Sequence, residues 1–310
     1  MRIDTYTIKP HVVFVNGITR SLVTNLMSKE IWLIPEAMSL MFSNNRSGSQ
    51  ASLELEFETE YVYQYLDFLR EKKLIFPTIV DTVESKINTE YFRSSEITNC
   101  ILVIDKYTIA FLGNIVIQLS KMQTTHVQLQ ISMCCDLRLL KDILASFDRS
   151  TIEGIEIHFK YYEGLEIHWL IDLMDKYKRV SFIVLLNYIG NLLSVDKRLI
   201  GVKEANVSTL TLSCGMISSD YFVSNIEFYS ESQFFNTCLN RKVSICADGE
   251  IKNCPSMPTS FGNISNTNII DAINKPGFKK YWNINKGEIH VCKDCEFRYI
   301  CTDCRAYVED

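Results

Sequence analysis

The sequence predicts an α/β chain in three parts: a winged-helix-like module over residues 1–90, a partial α/β barrel over 97–235, and a cysteine-rich domain over 236–310. Three observations predict it. Short β-type runs followed by helical periodicity fill the first part. Apolar strands alternate with amphipathic segments from about residue 97. The eleven cysteines are skewed, with four in the first 237 residues and seven in the last 73.

The first module opens with HVVFV and ITRSLVTNL on either side of Asn16-Gly17. Both residues tolerate positive φ and suit a tight hairpin turn. EIWLI adds a third strand, and Pro35 follows where a first helical turn accepts proline. Met38, Met41 and Phe42 then stand at helical spacing. SNNRSGSQ marks a turn, and Tyr61, Tyr65, Leu66 and Leu69 recur with a 3.6-residue period before Pro77. These stripes read as core. In the second part the strands are CILVID (100–105), HVQLQIS (126–132), IEIHF (155–159), FIVLL (182–186) and VSTLTLS (207–213). The clearest helix between them is 163–177, with Leu165, Trp169, Leu173 and Tyr177 on one face. Alternating β and α elements indicate a parallel sheet, and four or five units are too few for a closed eight-fold barrel.

With 47% hydrophobic and 11% aromatic residues, the 310-residue chain has ample material for a buried core, which excludes disorder. A net charge of −5 gives no reason to expect a nucleic-acid partner. The longest apolar stretch, residues 180–195, is interrupted by Asn187 and Asn191 and is too short to cross a bilayer. The N-terminus carries Asp4 and no apolar signal core, so a cytoplasmic protein is expected. In that reducing compartment clustered cysteines serve metals or redox chemistry rather than disulfides.

The near-repeat EGIEIH (153–158) and EGLEIH (163–168) offers His158 and His168 as metal ligands. Their placement on a strand and a helix favours the plainer reading, in which they share no geometry. Cys134 and Cys135 are adjacent and read as a strand end or loop. Cys100 and Cys214 read as small buried apolar residues.

The tail holds two cysteine-bearing pieces. CLNRKVSICADGEIKNCP (238–255) reads as a hairpin turning at Asp248-Gly249, with Lys252 and Asn253 on its solvated face. CKDCEFRYICTDCR spaces its thiols Cys292-x2-Cys295-x5-Cys301-x2-Cys304. Thiolates select soft metals. Zinc sites place two Cys-x2-Cys knuckles far apart, whereas these pairs are crowded and more than four thiols are present. That favours an iron–sulfur cluster over zinc. Glu296, Arg298 and Asp303 among these cysteines are expected to form a salt bridge closing the loop.

At these residues the chain resembles the SPASM domain, the auxiliary iron–sulfur module of peptide-modifying radical SAM enzymes. The resemblance rests on Cys238 to Cys254 with its Gly249-x4-Cys254 step, GNI at 262–264, Trp282 and the Cys292–Cys304 run. NRKVSI, GEIKNCP and SFGNI bring it closer to the SPASM-domain peptide maturases of grasp-with-SPASM systems, and ITRS, IP (34–35) and SSEITN (94–99) look similar too. The resemblance implies that Cys238, Cys254 and Cys304 share one 4Fe-4S cluster. Cys292, Cys295 and Cys301 would then hold a second, whose usual fourth ligand is a later cysteine that the sequence to Asp310 lacks. A single cluster on the 292–304 run is the alternative. Cys246 is a spare thiol, ligand or core.

The resemblance also implies that the α/β region is a degenerate, partial radical SAM-type barrel. Radical SAM enzymes hold their SAM-cleaving cluster with Cys-x3-Cys-x2-Cys, and residues 1–237 contain no such triplet. Cys100 stands alone near the right strand, so SAM cleavage is not expected. The resemblance implies a protein for maturation of a ribosomally synthesised peptide, with an ATP-grasp ligase and a precursor leader peptide as partners. Its first module would act like a PqqD-type recognition element, capturing the leader as an added strand. The alternatives are a redox or radical peptide-modifying enzyme and a zinc-stabilised scaffold.

Overall fold

Contacts divide the structure, a computed structural model describing residues 5–77, 87–190, 192, 195–202 and 217–302, into two compact units. The first comprises the described residues of 1–92, 215–237 and 283–308, and the second those of 93–214 and 238–282. The segment after residue 236 therefore contributes to both. No helix among the described residues is long and apolar enough to cross a membrane.

In the first unit, β1 (Thr5–Ile8) lies between β5 (Ser47–Ser49) and β6 (Ile75–Phe76). A second antiparallel sheet runs in the order β2 (Val12–Asn16), β3 (Ser21–Asn25), β4 (Glu30–Ile34). Three helices accompany them: α1 (Glu36–Asn44), entered through Pro35, α2 (Gln50–Glu54) and α3 (Thr59–Glu71). As the spacing predicts, Met38, Met41 and Phe42 enter one core with Leu66 and Leu69. The buried stripe of α3 is Val62, Leu66 and Leu69. Tyr61 does not belong to it: the residue is 48% exposed and stacks at 5.9 Å on Tyr65, along the helix flank.

The β2–β3 turn differs from expectation. Asn16 pairs with Ser21, so the connection is the four residues 17–20, closed by a Gly17 N–H bond to Arg20 O at 3.0 Å. Neither Asn16 nor Gly17 has positive φ. Glycine is required for proximity instead. A Cβ on Gly17 would stand 2.7 Å from Arg20 O and 2.8 Å from Glu296 Oε2.

In the second unit seven strands form one open sheet in the order β11-β10-β9-β8-β7-β12-β13. These are β7 (Asn99–Ile104), β8 (His126–Ile131), β9 (Gly154–Lys160), β10 (Val180–Leu186), β11 (Leu199–Val202), β12 (Lys242–Ile245) and β13 (Ile251–Lys252). Pairing is parallel from β11 through β12, and only β13 runs against its neighbour. Helices α4 (Leu112–Lys121), α5 (Leu137–Ala145) and α6 (Ile167–Lys176) connect β7 to β10 in βαβ fashion. The α/β expectation holds. VSTLTLS and Cys214 lie outside the described residues. Helix α6 buries Leu170, Leu173 and Met174, leaving Trp169 42% exposed, so the predicted stripe is rotated. The helix begins at Ile167, and Leu165, although buried, precedes it.

Cys100 is 1% exposed on β7, as a small core residue, while of the adjacent pair Cys134 is exposed and Cys135 buried. Burial pushes the Cys100 and Cys135 thiols up to about 12. A thiol whose folded value is raised stabilises the fold fully below its ordinary value of 9.0, and that contribution is lost as pH rises toward 12. Iodoacetamide at pH 8 should accordingly label Cys134 at once, and Cys100 and Cys135 only after denaturation. Tryptic mass spectrometry checks this, and prompt labelling of Cys100 would contradict its place in the core.

Candidate metal centre

The tail hairpin is built as its sequence suggests but does not stand alone. Strands β12 and β13 flank a turn in which Gly249 has φ of 80°. β12 extends the large sheet by pairing in parallel with β7, Val243 opposite Cys100. Cys254 follows β13 and is 4% exposed. Cys238 is half-buried, with the Lys242 ammonium donating to its sulfur at 3.6 Å. Cys246 is half-buried, so it is not a core residue, and burial, partly countered by Lys252, pushes its thiol up to about 11.

Asn253, expected in solvent, is fully buried. Its Nδ2 donates to Leu239 O at 3.0 Å and Lys242 O at 2.7 Å, tying the turn after Cys238 to the residue before Cys254. Two backbone carbonyls within reach of one side-chain amide explain why a polar residue is held inside. Lys252 is also mostly covered, at 15% side-chain exposure, and pairs with Glu250 at 3.2 Å. Sequence periodicity at a strand end carries no signal for either arrangement.

Cys292, Cys295 and Cys301 lie in the first unit on successive turns. The Cys295 N–H bonds Cys292 O at 3.0 Å, and the Cys301 N–H bonds Phe297 O at 2.9 Å. Burial raises the Cys295 thiol, against a backbone hydrogen bond from Phe297 that lowers it. Glu296 and Arg298 do not pair with one another as expected; each reaches instead to the β2–β3 turn or to the backbone. Glu296 pairs with Arg20 at 2.5 Å, and Arg298 donates to Asn16 O at 2.6 Å and to Cys295 O at 2.8 Å. The Ile18 N–H bonds Asp294 O at 2.9 Å. The hairpin tip thus grips the cysteine loop, the partner that local sequence could not supply. Asp303 and Cys304 lie outside the described residues.

The donor chemistry fits an iron–sulfur cluster. Cys246, Cys254, Cys295 and Cys301 are free thiols, and half-buried Cys238 and Cys292 add two further sulfurs to the donor set. Lys286, 6% exposed, places its ammonium on Cys301 O and has no ion pair among the described residues. A buried unpaired cation is costly, and the net negative charge of a thiolate-bound cluster beside it would offset that cost. Among the described residues no three His, Cys, Asp or Glu side chains converge on a metal-sized point. His158 and His168 do not meet. Each pairs with the carboxylate two residues before it, Glu156 at 2.5 Å and Glu166 at 3.2 Å.

Residues 237–296 match the model of the SPASM family, an iron–sulfur cluster-binding domain. A search of curated proteins found no match. Solved structures similar to the chain include that of Streptococcus suis SuiB, with a TM-score of 0.33, 10% identity, and coverage of 97% of this chain and 96% of that one. SuiB bound to its precursor peptide SuiA is similar at a TM-score of 0.30, again with 10% identity and coverage of 97% and 96%. Scores of this size lend no weight to the reading, which rests on the SPASM match and the residues themselves.

Proposed function

We propose that this chain is a cluster-bearing protein for maturation of a ribosomally synthesised peptide in the cytoplasm, working beside an ATP-grasp ligase. The observation that carries the reading is the SPASM match over residues 237–296 together with the six described cysteines of the tail. In this reading Cys238, Cys254 and Cys304 hold one 4Fe-4S cluster, and Cys292, Cys295 and Cys301 a second. Such clusters supply electron transfer or structural order when bound. The chain's own contribution is to place the thiols and to hold the peptide.

Residues 1–90 serve as the leader-recognition module, with strand addition as the mode of capture. Both β2 and β4 are edges of their sheet. β2 is guarded, because Arg46 donates to Val12 O at 3.0 Å and Arg298 to Asn16 O at 2.6 Å. The edge of β4, with Leu33 47% exposed, is the one left for an incoming strand. Full-length protein titrated into a fluorescein-labelled leader of the cognate precursor should give a saturable rise in anisotropy. N-methylation of alternate leader amides should abolish it, since the ladder needs those donors. A scrambled leader that binds equally well would end the capture role. Incubation with SAM and dithionite should yield no 5′-deoxyadenosine, and its formation would replace this reading with a radical enzyme.

A further inference from the structure

Apart from the thiols and the β4 edge, the first unit holds a second feature that points to a ligand. A cavity of about 220 Å³ is lined by Val12, Phe14, Ser43, Arg46, Tyr229 and Gln233, among others. Its one formal charge is Arg46, and no carboxylate among the described residues pairs with that guanidinium. The group is held in place rather than neutralised. Nη2 donates to Lys9 O and to Val12 O, each at 3.0 Å, which occupies both of its hydrogens. Nε is buried without an acceptor. Among the described residues nothing takes the two donors of Nη1 or pairs with the positive charge.

The other polar groups of the wall sort themselves by what they already do. The Ser43 hydroxyl donates to Ser39 O at 2.6 Å, and the Gln233 amide nitrogen donates to Tyr229 O at 3.2 Å. The Tyr229 hydroxyl has no partner among the described residues, and burial holds it protonated, with its value up to about 12. Tyr229 and Arg46 are close enough to influence one another's ionisation. Arg46 and Tyr229 thus belong to a lining that also offers the Thr89 hydroxyl and the apolar side chains of Val12, Phe14 and Ile87.

We propose that this cavity is a binding site for a carboxylate on a short apolar stem, with Arg46 Nη1 and the Tyr229 hydroxyl as its two donors. A single positive charge matches a monoanion better than a phosphate dianion, which recruits several cations. Val12, Phe14 and Ile87 in the lining offer apolar contact to the methylenes of a glutamate side chain or of a small free acid. An unpaired, partly desolvated guanidinium gains more from such a ligand than an exposed one does. This site is separate from the β4 edge and stands whether or not a leader binds there.

The test uses saturation-transfer NMR on the full-length protein with N-acetylglutamate, its neutral isostere N-acetylglutamine, and inorganic phosphate as competitor. The acid should give a saturable signal, and the amide should bind at least about tenfold more weakly, the size of one charge-assisted hydrogen bond. Arg46→Met should remove binding. Tyr229→Phe, which deletes only the hydroxyl, should weaken it by about fivefold while leaving the thermal melt unchanged. A glutamate-containing tripeptide, blocked at both ends, shows whether the source is a peptide side chain, by binding more tightly, or a free acid, by binding less. Either ranking supports the site. Equal binding of acid and amide, acid binding indifferent to Tyr229→Phe, or tighter binding of phosphate would overturn it.

Discussion

Full-length protein reconstituted anaerobically should hold iron and acid-labile sulfide in about equal amounts, and paired alanine variants should divide them. Cys238→Ala with Cys254→Ala removes the two proposed ligands in the second unit; Cys292→Ala with Cys295→Ala removes two of the three described thiols of the loop in the first. If each set serves its own cluster, each pair should lower bound iron by about half, and all four changes together should lower it to near background. Loss of all iron from the second pair alone, with none from the first, would assign one cluster to the 292–304 run. Stoichiometric zinc without sulfide would overturn the cluster assignment and leave a zinc-stabilised scaffold. The expectation rests on ligand count: thiolates of a chelating set lose affinity together, because removing two leaves too few to offset the ordering of the rest.

The second large effect is expected at Asn253. Replacing it with leucine keeps the volume but removes the Nδ2 donor that the carbonyls of Leu239 and Lys242 share. Losing both buried hydrogen bonds costs about 2–3 kcal/mol, and relief of the unpartnered Asn253 Oδ1 returns part of that. The net loss should be about 2 kcal/mol by urea denaturation of the metal-free protein. Asn253→Asp should be worse, because a buried carboxylate would face two carbonyl oxygens. Both variants should also retain less iron, since the turn carrying Cys238 would no longer be tied to Cys254. A stability within error of the parent would show that the two carbonyls find other donors.

Much of this fold is legible in the sequence because it is local. Strands β7 to β10 follow from apolar runs, Met38, Met41 and Phe42 from helical spacing, and the Asp248-Gly249 turn from the one residue type that favours its φ. The features that sequence reasoning misses depend on partners distant in the chain. Gly17 reads as a turn residue, yet besides the Arg20 carbonyl of its own turn it is the backbone and side chain of distant Glu296 that leave no room for a Cβ. Asn253 reads as solvated until the carbonyls 11 and 14 residues earlier close on it. Trp169 and Tyr61 carry strong apolar weight in any periodicity count, although a large ring can lie along a helix flank and stay half in water. The cysteine spacing announces metal chemistry, but it cannot reveal that β12 joins the large sheet, nor that Lys286 sits buried on Cys301.

The hairpin tip and the cysteine loop are joined by the Ile18–Asp294 bond, the Arg20–Glu296 pair, the Arg298–Asn16 bond and the close seat of Gly17. The same tip begins the three-stranded sheet whose far strand is β4. The two regions are therefore thermodynamically linked. Order imposed on the loop is felt as stiffness in the sheet, and by reciprocity a strand seated on the sheet must oppose the loosening of the loop by the same factor. With the cluster and the peptide placed as proposed, filling of the loop would register in the hold on the peptide without any second conformation to switch between.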